Sequence, residues 1–427
     1  MRKTLTLLFA SMLATQAWAA DFEYNGLYYE KIGGNSVSVV HDDSYTSFTS
    51  VSIPDKAIDG EDEYYVASIG DDAFYECSAL ESITIPDAVT SIGVSAFESC
   101  EALESITIPD AVTSIGDYAF QDCYALESIT IPDAVTNIGD NAFENTSLSS
   151  ITIPKNVSSI GVSAFTGCDN LTGVYVEDGN TSYKSVEGVL YDYDGKTILF
   201  CPQTKTGSFN VPNGVVSISP SAFAYCEELT SITLPLSVTS IGNDAFTYCT
   251  KLSSINIPDD VIIIGKSAFY HCENLKSIDF SKNITSIDYM AFASCTSLTS
   301  VYIPKNIDVI EEDAFNNCSN IEIYCEASEK PVKWHNKWMG NVPDERIHWS
   351  AVPTNITETK VADVTIYPSG RNIIVENAVG KEITVSDLAG RVIISQQAET
   401  DKVSLAIQSR GMYIVKVGET QQKVLIN

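Results

Sequence analysis

The amino-acid sequence predicts a solenoid of about ten stacked coils, with a parallel sheet on its concave face and short helical turns on the other. A small antiparallel β-sandwich is expected to follow it. Three observations carry this prediction. The residues ALESITIPDAVTSIG at 79–93 recur unchanged at 102–116 and with one change at 125–139. An Ala-Phe pair keeps the same period as far as Phe315. After residue 361 the pattern gives way to polar and apolar residues that alternate with a period of two.

The spacing of the Ala-Phe pair defines the length of one coil. Nearly every step between successive pairs is 23 residues, and the long step from Phe165 to Phe223 is one period plus a 35-residue insertion. A period near 23 is typical of leucine-rich repeats, in which each coil buries its apolar side against its neighbours. The phenylalanines of the pair are Phe74, Phe97, Phe120, Phe143, Phe165, Phe223, Phe246, Phe269, Phe292 and Phe315.

Each part of one coil has a predicted structure. Residues 82–85 alternate with a period of two, which indicates a short strand with its isoleucines in the core. Pro86 ends the strand because it cannot donate to a ladder. The apolar side chains at 96–100 recur as on one face of a helix, so a short helical turn is expected, with Asp117 and Asp140 as N-caps in later coils.

The chain is divided into a leader, a repeat region with caps, and a tail. Arg2 and Lys3 precede a short apolar run and the small residues around Trp18, as in a secretory signal peptide. The predicted segments are a signal peptide at 1–20, an N-terminal β cap at 21–66, the repeats at 67–325 with a hairpin insertion within about 177–212, a C-terminal cap and linker at 326–361, and the tail domain at 362–427.

The caps and the insertion have signals of their own. Trp334, Trp338 and Trp349 follow the last coil, where we expect them to cover its open core, although a carbohydrate-binding patch is the alternative. Asp194-Gly195 lies between two alternating apolar segments, which predicts a hairpin that projects from the coil edge.

The charge excludes some partners. Loss of Arg2 and Lys3 with the signal peptide changes the formal charge from −31 to −33. Residues 362–427 contain seven basic and seven acidic residues, so the segment 21–361 carries the whole negative charge. Such a surface repels a phosphate backbone, so no nucleic-acid partner is expected, whereas cations or basic protein patches are favoured.

The cysteines follow the repeat. Nine of the eleven lie three residues after the Ala-Phe pair, and Thr146 occupies the same slot in one coil. Neighbouring coils would place these Cβ atoms about 4.8 Å apart, which is unfavourable for a disulfide. A column of buried free thiols is therefore expected rather than a disulfide or metal array, and Cys318 with Cys325 is the one pair left open for a disulfide.

No motif for catalysis or for a cofactor is found. His271 precedes Cys272, but that cysteine occupies a core slot, so a catalytic dyad is not expected. Acidic pairs such as Asp71-Asp72 and Asp259-Asp260 recur in turns, where a solvated acidic face is favoured over weak calcium binding. We expect neither an enzyme, nor a cofactor, nor a metal site.

The surface remains as the place of function. Small hydroxyl side chains recur at strand positions that face away from the core, and the insertion adds tyrosines, which are favoured contact residues. The candidate ligand-binding residues are Ser82, Thr84, Ser105, Thr107, Ser128, Thr130, Ser231, Thr233, Ser254, Asn256, Tyr183 and Tyr191. A solvated face of strand-forming residues is the alternative explanation of the hydroxyl columns.

The repeat letters resemble a known family. The segment IPDAVTSIGVSAFESCEAL at 85–103 is similar to the BspA-like leucine-rich repeats, and the resemblance covers about 67–325. It implies the solenoid fold. That family consists largely of surface proteins of bacteria and some protists, and its better-known members are adhesins for host matrix proteins such as fibronectin and fibrinogen.

The tail resembles a second family. Tyr367-Pro368, the segment DLAGR at 387–391, the segment GMYIVK at 411–416 and Lys423 are similar to the C-terminal sorting domain of the type nine (Por) secretion system of Bacteroidetes. That resemblance implies export across the outer membrane, often followed by removal of the domain. The matching residues carried over as a sorting signal are Gly390, Gly411, Tyr413, Lys416 and Lys423.

Together these observations predict an exported, monomeric cell-surface binding protein. The expected partner is a surface protein of a host or a neighbouring cell, recognised through the solenoid. A glycan-binding surface protein that serves nutrient capture is the alternative. The export machinery of the outer membrane is the second expected partner, through the tail.

Overall fold

The protein is described from a computed structural model. The structure describes residues 20–281 and 283–351, and in the tail 365–369, 372–376, 378–387, 391–400, 402–407, 411–417 and 420–426. All but the last residue of the predicted signal peptide lies outside these ranges. The chain forms two compact units, Met1–Ala351 and Val352–Asn427.

The first unit is the predicted solenoid, with about twelve turns of 23 residues. In most coils a short strand follows the core leucine and pairs in parallel with the same strand of a neighbouring coil, so that these strands form five separate groups. We call this set the hydroxyl ladder. Its strands are Ser50–Ser52, Ser82–Thr84, Ser105–Thr107, Ser128–Thr130, Ile151–Ile153, Val174–Val176, Gly207–Asn210, Leu229–Thr233, Ser254–Ile255, Ser277–Ile278, Ser300–Ile303, Glu322–Cys325 and Ile347–Trp349.

A second parallel ladder, which the sequence did not predict, is formed by the short segment that precedes the Ala-Phe turn of each coil. In the N-terminal half it comprises Ser36–Val40, Asp62–Ile69, Ser91–Ile92, Ser114–Ile115, Asn137–Ile138 and Ser159–Ile160. In the C-terminal half it comprises Thr197–Phe200, Ser217–Ile218, Ser240–Ile241, Ile263–Ile264, Ser286–Ile287 and Val309–Ile310. Within each half, this second ladder also joins coils between which the hydroxyl ladder is interrupted, as between the coils of Ser82–Thr84 and Ser105–Thr107.

The Ala-Phe turns form a third connection, which we call the turn ladder. It comprises residues 71–76, 94–99, 117–122, 140–145, 162–167, 220–225, 243–248, 266–271, 289–294 and 312–317. In all of these segments except 162–167 and 312–317, every second N–H donates to a carbonyl of the next coil, as from Phe97 to Ala119 at 2.8 Å. Non-glycine residues such as Ser95 (φ 52°) and Ser99 (φ 61°) take left-handed conformations there.

The predicted helical turns at these positions are wrong. Among the described residues the only helices are two 3₁₀ helices, Asp43–Ser47 and Asp344–Arg346. Left-handed residues turn the N–H groups sideways to the next coil, so they cannot bond within their own turn as a helix requires. Asp117 and Asp140 likewise do not cap helices, because their carboxylates accept N–H bonds from the next coil at 2.8 and 2.6 Å.

Stacked phenylalanines fill the core. The rings of Phe74, Phe97, Phe120 and Phe143 are nearly parallel, with centroids 5.3 to 5.5 Å apart. A second run extends from Phe223 to Phe315. The two runs belong to separate clusters of buried side chains, one on each side of the insertion.

The insertion is built into the solenoid and does not project from it. Tyr183–Val186, Val189–Asp192 and Thr197–Phe200 form an antiparallel meander whose last strand pairs in parallel with Ser217–Ile218. The predicted hairpin at Asp194-Gly195 is confirmed. Its central strand faces both clusters, because Leu190 packs into the N-terminal core while Val189 and Tyr191 pack into the C-terminal core.

Additional strands and buried tryptophans lie at the two ends of the solenoid. At the N-terminus Phe22–Tyr24, Leu27–Gly33 and Ser36–Val40 form an antiparallel meander, and Lys56–Asp59 pairs with Asp62–Ile69 beside it. At the C-terminus Trp334 and Trp338 are buried against the last coil, with Trp338 edge-on to Phe315 at 6.0 Å.

The second unit contains two antiparallel sheets. One is formed by Thr365–Ser369, Asn372–Glu376 and Lys402–Ala406, and the other by Val392–Gln397, Glu382–Asp387, Gly411–Val417 and Thr420–Ile426. Alternate residues such as Val385, Leu405 and Val415 form its core. Within the described part of the chain, there is no helix long and apolar enough to cross a membrane.

Candidate functional site

The hydroxyl ladder presents the side chains that the sequence predicted. In the repeated Ser-Ile-Thr strands the isoleucine points into the core while its two neighbours are exposed, as for Ile83 between Ser82 and Thr84. The register is strict, since Ser105 lies opposite Ser128 and Thr107 opposite Thr130. Strand pairing spaces the hydroxyls of each column about 4.8 Å apart.

These hydroxyls are free in the N-terminal half. Among the described residues none of them has a hydrogen-bond partner, and all six are exposed. They are available to a ligand without loss of an internal bond. The six are Ser82, Thr84, Ser105, Thr107, Ser128 and Thr130.

The C-terminal half of the ladder is partly used by the fold. The Ser231 hydroxyl donates to that of Ser208 at 2.8 Å. The Asn256 amide accepts from the N–H of Leu234 and donates to its carbonyl, each at 2.8 Å. Thr233 and Ser254 remain exposed. The Asn256 side chain thus joins two neighbouring coils by hydrogen bonds. The alternation of residue types in the sequence does not predict this role.

Columns of carboxylates flank the free hydroxyls. Glu81, Glu104 and Glu127 precede the strands and Asp87, Asp110 and Asp133 follow them, and all six are exposed. Between Lys56 and Lys155 the chain has nineteen acidic residues and no lysine, arginine or histidine. Stacking places like charges one coil apart, so this part of the surface attracts cationic groups.

On the turn ladder, burial and neighbouring charges raise the pKa of two glutamate carboxyl groups. Desolvation raises the pKa of the Glu98 carboxyl, and the charges of Asp122 and Asp72 raise it further. The pKa of Glu144 is raised mainly by burial and also by Asp122. A cationic partner would relieve the repulsion that these neighbouring carboxylates exert on one another.

The far end of the hydroxyl ladder becomes aromatic. Tyr302, Tyr324 and His348 lie opposite one another on successive strands. The rings of Tyr324 and His348 are stacked with centroids 4.7 Å apart, and His348 Nε2 lies 2.7 Å from Glu322 Oε2. The ladder therefore carries hydroxyls at one end and aromatic rings at the other.

A second aromatic row lies on the turn ladder, and the sequence analysis missed it. Tyr225, Tyr248 and His271 occupy the same slot of three coils. Their rings are stacked, with centroids 5.0 Å apart for the tyrosine pair and 4.6 Å for Tyr248 and His271. The signal was present, since the residue before each core cysteine is aromatic in these three coils alone.

The insertion tyrosines are not the exposed contact residues that we expected. Tyr191 is only 3% exposed, so its assignment as a ligand contact is wrong. Tyr183 is half-buried, and its hydroxyl accepts the N–H of Ile160 at 2.9 Å. Tyr193, at 55% exposure, is the member of this group that faces solvent.

The cysteines are confirmed as buried free thiols. All eleven are free, including Cys318 and Cys325, so the disulfide that the sequence left open is absent. Burial raises the pKa of both thiols to about 12. Thr146 fills its slot with a hydroxyl that donates to the Phe143 carbonyl at 3.1 Å. The column is a structural element that excludes thiolate chemistry at neutral pH.

The histidines form no catalytic arrangement in the structure. His271 lies between Tyr248 and Tyr270 and is 3.3 Å from the Glu273 carboxylate, while Cys272 points into the core. Over the described part of the chain no group of His, Cys, Asp and Glu could hold a metal ion.

The tail residues assigned to sorting are only partly described. Gly390 lies outside the described residues. Gly411 belongs to the strand Gly411–Val417, in which Tyr413 is buried and Lys416 is exposed. Lys423 lies on the last strand opposite Ile414. They contribute to one sheet, but nothing in their arrangement tests a sorting role.

The stacked 23-residue coils and their parallel ladders define a class of protein, the leucine-rich-repeat solenoid. The sequence comparison is more specific. The model of the BspA type leucine rich repeat region (6 copies) matches residues 44–185 and 198–322. The chain therefore belongs to the BspA-type leucine-rich-repeat family. Residues 353–426 match a domain of unknown function, DUF6383. Among curated proteins there is no significant match.

Solved structures support this assignment. A leucine rich cell surface protein from Faecalibacterium prausnitzii is 30% identical with a TM-score of 0.59, over 73% of this chain and 96% of that one. A leucine-rich repeat protein from Eubacterium ventriosum is 25% identical with a TM-score of 0.60, over 77% and 94%. The pneumococcal vaccine antigen PcpA, 21% identical over 77% and 96% with a TM-score of 0.62, shares the fold.

Proposed function

We propose that this protein is a cell-surface adhesin that binds a protein of a host or a neighbouring cell through the N-terminal half of its hydroxyl ladder. The observation that carries the proposal is the set of six exposed hydroxyls without internal partners, bordered by two columns of carboxylates. A flat, polar and repeated surface suits an extended protein partner better than a small molecule. The similarity to a cell surface protein supports the location.

The charge of this surface specifies the partner's chemistry. The segment between Lys56 and Lys155 has nineteen acidic residues and no basic one, and three of its carboxylates, those of Asp59, Glu63 and Asp133, pair with lysines outside it. A partner with a lysine- or arginine-rich patch would be attracted before contact and would pair with the carboxylate columns after it. Hydroxyls between the columns can donate to or accept from the partner's backbone.

The test is a binding array of matrix proteins and glycans probed with the secreted full chain. We expect binding to a basic matrix protein that weakens as the ionic strength rises from 50 to 500 mM, because salt screens exposed charges. Changing Glu81, Glu104 and Glu127 together to glutamine should weaken binding and flatten the salt dependence. Binding to glycans alone would refute the adhesin and favour nutrient capture.

For export, we propose that the tail acts as a C-terminal sorting domain. The support is its resemblance to such domains and its separation as a compact unit of its own. A deletion of residues 363–427 should leave the protein in the periplasm, as surface proteolysis and fractionation of cells would show. Normal surface display of that deletion would refute the sorting role.

A further inference from the structure

The turn ladder is interrupted at the insertion, and its last segment, 312–317, is only partly paired because no carbonyl of the described residues accepts the Phe315 N–H. In the other turns every second N–H donates to the next coil, as from Phe143 to Ala164 at 2.9 Å and from Phe223 to Ala245 at 2.8 Å. The insertion lies between the turn at 162–167 and the turn at 220–225. The regular bonds across this junction would join Ser163, Phe165 and Gly167 to the second turn.

Those bonds are absent, and other groups have taken the acceptors. The Ala222 carbonyl accepts the N–H of Cys201 at 2.7 Å, and the Ala224 carbonyl accepts the Gln203 amide at 3.2 Å. Among the described residues no carbonyl accepts the N–H groups of Ser163, Phe165 and Gly167. Three N–H groups at alternate residues are therefore left without a carbonyl acceptor, while the Ser163 hydroxyl donates to the Ser221 hydroxyl across the junction at 3.0 Å.

A pocket adjoins these donors. It has a volume of about 90 Å³ and is lined mainly by apolar side chains, among them Ile160, Leu190, Leu199 and Phe200, together with Ser163 and Phe165. Thr166 also lines it and is 5% exposed, yet its hydroxyl has no hydrogen-bond partner. A buried polar group without a partner is costly, so the pocket combines apolar walls with an unmet demand for an acceptor.

We propose that this junction pocket is an anchor site for an extended segment of the protein partner, which inserts one aliphatic side chain while its backbone carbonyls accept the open N–H groups. The inference rests on the proposed function, because it names a second contact for the same partner. Such pairing of main chains with a side-chain pocket is a recurring mode of peptide recognition.

The size and charge of the pocket select the occupant. An apolar cavity of about 150 Å³ accommodates benzene, so 90 Å³ suits a valine or leucine side chain. The nearby Asp140 carboxylate, which accepts the N–H of Val162 at 2.6 Å, disfavours an anion. A neutral peptide carbonyl can accept from the N–H groups without this repulsion. The carboxylate of a free acid would be repelled by Asp140.

Amide hydrogen exchange tests the open donors directly. In the full chain the amides of Ser163 and Phe165 should exchange at least tenfold faster than those of Asn141 and Phe143, which have the same places one coil earlier and are hydrogen-bonded. Equal protection of the two pairs would overturn the inference.

Titration with N-acetyl-leucine N′-methylamide tests the occupant. This probe should saturably shift the Leu199 methyl and Ser163 amide resonances of the full chain, whereas the glycine analogue and isovalerate should not. Thr166→Val should raise the Kd of the probe by about threefold to tenfold, because it removes the hydroxyl that has no internal partner. Thr247→Val, the matched change in an intact turn, should have no effect. A response to isovalerate equal to that of the leucine probe, or no saturable shift, would overturn the proposal.

Leu199→Trp, which fills the pocket, separates this inference from the proposed function. We expect this substitution to weaken the binding of both the leucine probe and the matrix protein found on the array. If the matrix protein binds the folded Leu199→Trp variant with unchanged affinity but no longer binds the hydroxyl-ladder variants, the anchor site is refuted and the proposed adhesin function is retained. If the array shows no protein partner, the adhesin fails whatever the probe does.

Discussion

The Cys272 thiol donates a hydrogen bond to the carbonyl of Phe246, one coil back, across 3.2 Å. The same bond recurs throughout both halves of the solenoid, so the cysteine slot selects a small side chain that also donates. Thr146 meets the same two requirements with a hydroxyl. The equivalent donors are Cys100, Cys123, Cys168, Cys249, Cys295 and Cys318.

The first prediction concerns this bond. Cys272→Ala should lower the free energy of unfolding by about 1–2 kcal/mol, because it leaves a small cavity and removes the thiol donor. Cys77→Ala is the matched control, since Cys77 is equally buried but its sulfur has no hydrogen-bond partner among the described residues. Urea unfolding should show a smaller loss for the control. Equal losses would mean that the bond adds nothing to packing.

The second prediction concerns alkaline pH. Burial raises the pKa of the Cys77 and Cys325 thiols to about 12, whereas an unfolded thiol ionises near about 8.5. Between these values the unfolded chain has released protons that the folded chain retains, so stability should fall as pH rises from about 9 to 12. Urea midpoints across this range measure it.

Alkylation provides the control for the second prediction. Iodoacetamide at pH 9 should label none of the eleven cysteines in the folded chain and all of them in urea. Rapid labelling of the folded protein would show that the thiols are accessible and would contradict the burial on which the pH dependence depends.

The third prediction concerns the insertion. Tyr183→Phe removes the hydroxyl that accepts the N–H of Ile160, so it should cost about 1 kcal/mol of unfolding free energy. Tyr193→Phe removes a hydroxyl on an exposed ring and should cost nothing measurable. Thermal or urea unfolding distinguishes the two variants. An equal effect of both changes would show that the Tyr183 contact does not stabilise the junction.

The fourth prediction concerns the C-terminal cap. Trp338 is 1% exposed and packs edge-on against Phe315, so Trp338→Ala should destabilise the solenoid by about 3–5 kcal/mol. Trp349→Ala, at a partly exposed ring, should cost less. Neither change should alter glycan binding directly. The burial of Trp338 argues against a carbohydrate-binding patch. A variant that keeps its full stability but no longer binds a glycan would support that alternative again.

The period of the sequence was sufficient to predict the stacking and the core, because coils with the same sequence bury the same side chains. It was insufficient for the turns. Ser95 and Ser99 carry no signal of their left-handed backbone, which arises from hydrogen bonds to the next coil. Composition alone could not distinguish such lateral bonds from those of a helical turn.

The insertion was misjudged for a different reason. The run Val189–Tyr191 is continuously apolar, which is typical of a strand that is buried on both faces. We instead took Tyr191 as exposed because hairpin insertions commonly project. The structure places the run between two cores, and only the three-dimensional closeness of the two halves reveals this.

The most direct test of the account compares two sets of substitutions on the same coils. The first set places three positive charges on the hydroxyl ladder by changing Thr84, Thr107 and Thr130 together to lysine. The second set places three positive charges on another exposed column by changing Thr90, Thr113 and Thr136 to lysine. The measurement is the Kd of each full chain for the matrix protein found on the array. The account predicts a loss of tenfold or more for the first set and little change for the second. Equal losses, or binding that the first set leaves intact, would contradict it.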